Sequence, residues 1–156
     1  MTKKRRAFIS AALAVIMLAV SFAFPAGAAG MKTVSEIDGT GAQPFTFIAS
    51  GDAQLGASGD LAADKAAWQS SLSNAMAAWP EAKFLISAGD QINKNENAEQ
   101  TEAFVDVAAQ SGLPFALTTG NHDPDFLENF DLPNSDKFNN YWYTYGDVLF
   151  MHLDTN

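Results

Sequence analysis

An α/β fold, ordered β-α-β-α-β and followed by a β-hairpin, is predicted by three features of the 156-residue sequence. Short apolar runs of strand length alternate with longer segments of helical periodicity. The first three runs end alike, at a glycine followed by a polar residue: Gly51-Asp52, Gly89-Asp90 and Gly120-Asn121. Two later runs are separated only by Gly146-Asp147, the spacing of a tight hairpin. Strands alternating with helices imply a parallel sheet with right-handed crossovers.

The chain opens on Lys3, Lys4, Arg5 and Arg6, then Ala7 to Phe24, apolar except for Ser10 and Ser21. Pro25 and the small-x-small run Ala26-Gly27-Ala28 follow. Basic, apolar, then small is the order of a secretory signal peptide, with cleavage expected after Ala28. Retained, the apolar stretch is just long enough to span a bilayer. The expected organisation is therefore a signal peptide at 1–28, a linker at 29–43 and one folded domain at 44–156. The expected location is secreted or cell-surface, membrane-anchored if the leader stays on. Residues 29–43 read as a tether because they are small and polar, with Gly39 and Gly41 and no periodicity.

Phe45 to Ser50 reads as a buried strand. Leu61, Trp68, Leu72, Met76 and Trp79 recur at helical spacing, with Asp60 as cap and Pro80 as stop, and both tryptophans are assigned to the core. Phe84 to Ala88 is the second strand. Asn97 with Gln100 has the form of a capping box. The helix behind it sets Thr101, Phe104, Val105 and Ala108 on one face, and Gly112 and Pro114 end it. Phe115 to Thr119 is the third strand. Residues 124–140 are irregular, with Pro124 and Pro133. Tyr141 to Tyr145 and Val148 to Asp154 form the hairpin, and alternation puts the three tyrosines on one packing face.

Composition narrows the chemistry. The absence of cysteine excludes a disulfide scaffold, thiolate-bound zinc, an iron–sulfur cluster and a thiol nucleophile. Nine basic residues face eighteen acidic ones. Four of the nine lie in the leader, and no arginine remains beyond it, so no guanidinium fork is left to hold phosphate. The acidic balance speaks against nucleic-acid binding by a basic surface.

In open α/β sheets, ligands sit outside the carboxyl ends of the strands. If the three strands are neighbours, Asp52, Asp90, Asn121 and His122 converge on one crevice. Carboxylate, amide and imidazole suit Mn, Fe, Zn or Mg rather than soft copper. A lone Gly-Asp is commonly only a turn. Three in register, spaced by about 30 to 40 residues as βα units require, carry more weight.

Gly51-Asp52-Ala53-Gln54, Gly89-Asp90-Gln91-Ile92-Asn93 and Gly120-Asn121-His122-Asp123 resemble the first three motifs of the calcineurin-like metallophosphoesterases. Tyr141 to Phe150 and Leu153-Asp154-Thr155-Asn156 resemble the purple acid phosphatase-like branch. The resemblance implies the N-terminal half of an α/β/β/α sandwich and two divalent or trivalent metal ions, Mn, Fe or Zn. By position, Asp52 would ligate the first ion, Asp90 would bridge both and Asn121 would ligate the second. His122 would act on the phosphate as the catalytic group. The substrate class would be a phosphoester small molecule.

Three departures accompany the likeness. Gln54 stands where the family usually has histidine, and offers at best a weaker oxygen ligand. Asn93 stands near an aspartate that supports the catalytic histidine, and cannot supply its charge. The family's later metal-ligating histidines do not occur. His152, the other histidine, is assigned a structural role in its strand. The chain is therefore expected to be an incomplete copy of little activity alone, missing a C-terminal segment, with apolar surface left uncovered. Asp123 reads equally well as a loop-orienting residue or a turn residue. A non-catalytic exported protein that binds divalent metal or phosphate is the alternative. A purely structural exported domain is a third reading.

Overall fold

The computed structural model describes residues 30–41 and 44–155. The reading of residues 1–28 as a signal peptide lies outside the described residues. Within them, no helix is long and apolar enough to cross a membrane.

The elements are β1 (Thr46–Ser50), α1 (Leu61–Ala78), β2 (Ala82–Ser87), α2 (Ala98–Ser111), β3 (Phe115–Leu117), β4 (Tyr141–Tyr145) and β5 (Val148–His152). The sheet order is β1-β2-β3, with both pairs parallel, and β4-β5 is an antiparallel hairpin. The predicted mixed α/β architecture is the one found. Its three motif-bearing strands are neighbours, so their carboxyl ends open on one side.

Local signals set the helix ends. The Asp60 side chain accepts from Ala63 N at 3.0 Å and starts α1. Asn97 accepts from Gln100 N at 3.0 Å and starts α2, which Gly112 closes in the left-handed region. The box at α2 is one-sided, because the Gln100 amide oxygen accepts from Lys94 N instead. Trp68 is buried and stacks on Phe104 with ring centroids 5.7 Å apart. Trp79 corrects the reading of both tryptophans as core. It is 55% exposed, because it is the C-cap of α1, where the backbone has already left the helical face.

Register separates the two faces of the sheet. Leu85 pairs with Phe115 and shares its face, where Phe104 meets Phe115 edge-on. Phe84 points the other way and packs edge-on against Tyr143, Tyr145 and Phe150 of the hairpin. Helices thus cover one face and the hairpin covers the other. Tyr141 donates its hydroxyl to Leu117 O at 2.7 Å, tying β4 to β3. The outer face of the hairpin carries Trp142, Leu149 and Met151, all exposed, as is Leu153 beyond it. Apolar surface is left uncovered there, as expected.

Part of the stretch that composition reads as a tether is structured. Met31 and Val34 are buried, and Phe115 N donates to Lys32 O at 2.9 Å, extending the sheet beyond β3. Thr33 caps a 3-10 turn at Val34–Glu36 and donates its hydroxyl to Asp131 O at 3.1 Å. Further on, Gly39 O accepts from Gly146 N at 2.9 Å in the hairpin turn. A Cβ on Gly39 would strike the Tyr145 ring, so only glycine passes there. Residues 31–39 form a strap across sheet and hairpin.

His152 has the structural role assigned to it. It is 6% exposed, stacks on Tyr141 at 4.4 Å and places Nδ1 2.9 Å from Thr118 Oγ1. Burial pushes its pKa down to about 4 from an ordinary 6.5. In the window between these values the unfolded chain binds the proton and the folded chain does not. Stability from this group is complete above pH 6.5 and is lost as pH falls through 4. Between pH 7 and pH 4.5 the loss should be about 2 kcal/mol. Urea unfolding at both pH values checks this against His152→Phe, which keeps a ring for stacking and cannot titrate. An equal pH dependence in the variant would refute the assignment.

Candidate metal centre

The centre is built by backbone pairing that continues past the strand ends. Asp52 N donates to Gly89 O at 3.1 Å, Gln54 N to Asp90 O at 2.8 Å and Leu55 N to Gln91 O at 3.1 Å. Asn93 N returns to Leu55 O at 3.0 Å. The first and second motif loops are thereby laced together. Asp52, Gln54 and Asp90 all adopt left-handed backbone, with φ of 53°, 44° and 52°. Such conformations cost non-glycine residues of order 1–3 kcal/mol each, and persist where the surroundings over-determine them.

The third loop joins through Asp90. His122 N donates to Asp90 Oδ1 at 3.0 Å. A Cβ on Gly120 would fall on the Asp90 carboxylate and on its amide nitrogen, so that position must be glycine for Asp90 to stand where it does. Gly89, with φ +101°, is equally confined, because a Cβ would lie 2.9 Å from Thr119 O.

Asp123 is the residue that sequence reading left undecided. It is fully buried. Its Oδ2 accepts from Gln91 N at 2.6 Å and from Ile92 N at 3.3 Å, and its Oδ1 accepts from Gly120 N at 2.8 Å. One carboxylate therefore clamps the second loop to the third. Burial pushes its pKa up, against the pull of these three amides, and the nearby Asp90 charge adds to the rise. The only signal in the sequence was its place directly after His122.

His122 is held by main chain rather than by charge. Its Nδ1 lies 2.9 Å from Asn93 O. A carbonyl only accepts, so Nδ1 carries the proton and Nε2 is the nitrogen left for chemistry. The aspartate missing at position 93 is thus not needed to orient the ring. Asp52, Gln54, Asp90 and His122 are brought together by direct bonds within the three loops. Asn121 is placed only through its neighbours Gly120 and His122, with its side chain exposed.

The donor set can be tested against a metal. The Asp52 carboxylate and the Asn121 amide make no hydrogen bond among the described residues, although both sit on fixed loops. Asp90 spends one carboxylate oxygen on His122 N and keeps the other. Oxygen donors of this kind are, in general, ligands of hard divalent cations. Among the described residues, however, no group of three or more His, Cys, Asp and Glu side chains is placed to hold a metal ion. The donors that are present include two neutral amides.

The family model for calcineurin-like phosphoesterase matches residues 45–155, from the first residue before β1 to the far side of the hairpin. The chain belongs to the calcineurin-like phosphoesterase family. No curated protein matches it. The phosphoesterase match spans all three laced loops. Members of the family are hydrolases of phosphoesters that typically bind divalent metals.

Proposed function

We propose that this chain carries the first three metal-binding loops of an exported, dinuclear phosphoesterase of the purple acid phosphatase-like branch. The observation that carries the reading is the joining of the three loops through Asp90. Asp52, Gln54 and Asp90 would hold one ion, and Asp90 and Asn121 a second. Bound metal supplies an activated water and positive charge for the phosphate oxygens. The chain's own part is to fix these donors and to present His122. With Nδ1 donating to Asn93 O, His122 Nε2 can take up a proton and deliver it to the leaving oxygen. No arginine occurs among the described residues, so no guanidinium is available there to hold phosphate.

The donor set is expected to be completed by a further segment that covers Trp142, Leu149 and Met151. Alone, the chain is expected to turn over little. The basic–apolar–small leader supports export. The test is hydrolysis of an aryl phosphate by the exported protein before and after chelation. Activity should vanish with chelator and return with added Mn2+ or Mg2+. Hydrolysis indifferent to chelation would refute the proposal.

A second reading is a non-catalytic protein that holds divalent metal or phosphate. It is favoured by one observation, the lack of any three-member His/Asp/Glu cluster among the described residues. Metal that raises the melting temperature without hydrolysis would select it.

A further inference from the structure

Gln54 and Asn93 lie 39 residues apart in the chain and meet at the centre, where Gln54 Nε2 donates to Asn93 Oδ1 at 3.4 Å. Backbone lacing holds them within reach: Gln54 N is bound to Asp90 O, and Asn93 N to Leu55 O. An amide is planar, so committing its nitrogen fixes its oxygen. Gln54 Oε1 is turned away from Asn93 and accepts no hydrogen bond among the described residues. The Asn93 side chain is free for this task because His122 uses the Asn93 main-chain carbonyl, which any residue would provide.

We propose that Gln54 and Asn93 act as a pair that sets metal choice, Asn93 positioning the Gln54 amide so that its oxygen is the donor. This rests on the metal-dependent reading above. With Asp52, Asp90 and Asn121, Gln54 makes the share of the donor set that these three loops contribute all-oxygen. Hard cations such as Mg2+ and Mn2+ take oxygen ligands, whereas Zn2+ gains from imidazole. The first loop withholds imidazole, which narrows the usual advantage of Zn2+ over Mn2+.

Calorimetric titration of the exported protein with Mn2+, Mg2+ and Zn2+ in turn tests this. Gln54→His should raise Zn2+ affinity on the order of tenfold and change Mn2+ affinity by less than about threefold. Gln54→Glu keeps an oxygen and should leave the Zn2+:Mn2+ ratio close to the original. Asn93→Ala should weaken Mn2+ binding alone, yet add little to Gln54→Ala, as expected of two residues acting through one oxygen. An unchanged Zn2+:Mn2+ ratio in Gln54→His, or full additivity of Gln54→Ala and Asn93→Ala, overturns the pairing and leaves the metal-dependent reading standing. If none of the three ions binds and chelation does not affect hydrolysis, both fall together.

Discussion

Asp123→Ala should lower the stability of the folded chain by about 3 kcal/mol. The carboxylate is fully buried and receives the amides of Gln91, Ile92 and Gly120. Alanine leaves those three donors without partners in a place that water does not readily reach. Each buried, unsatisfied donor costs about 1–3 kcal/mol, and relief from burying a charged group offsets part of the sum. Asp123→Asn keeps one oxygen acceptor and should lose roughly half as much. Urea unfolding gives the energies, and hydrogen exchange gives the location, since the amides of residues 91, 92 and 120 should lose protection first. A change below about 1 kcal/mol would mean that the loops are held by something else.

Gly120→Ala should weaken Mn2+ binding by about ten- to a hundredfold. The added methyl carbon would meet the Asp90 carboxylate and its backbone nitrogen, neither of which can yield without moving the other. Asp90 is anchored to Gln54 N through its carbonyl and to His122 N through its carboxylate, so its displacement disturbs all three loops. Gly112→Ala is the matched control. Gly112 has φ +71° with open space around it, so alanine there strains the α2 cap without touching the centre. That variant should lose about 1 kcal/mol of stability and keep its metal affinity. If Gly120→Ala binds Mn2+ like the parent chain, the crowding of Asp90 by position 120 does not matter to the centre.

The elements that could be read in the sequence were those announced locally. Alternation gave the hairpin, with Tyr141, Tyr143 and Tyr145 buried on one side. Caps at Asp60 and Asn97 placed both helices. Apolar runs ending in glycine marked the three motif loops, which the sheet order then sets side by side. What was not legible depends on contacts between distant loops. Asp123 stayed undecided between loop-orienting and turn residue because its partners, Gln91 and Ile92, are more than thirty positions away. Asn93 looked like a lost charge because a side-chain pattern cannot show that a main-chain carbonyl does the work. Trp79 had the right spacing for the core but sits one residue past the helix, where spacing no longer fixes direction. Small polar residues at 31–39 hid a strap whose anchors lie at the other end of the chain.

That strap constrains the order in which the molecule can assemble. The β1-α1-β2-α2-β3 units close between neighbours in sequence. The strap instead joins Thr33 to Asp131 across 98 residues, and Gly39 to the turn at Gly146. Loop-closure entropy must be met before contacts of such separation give any return, and folds dominated by them form slowly. Synthesis delivers the strap first and its last anchor more than a hundred residues later. Residues 31–39 must therefore wait for partners that arrive in stages at Phe115, Asp131 and Gly146, and the earliest part of the domain to be synthesised completes its contacts late.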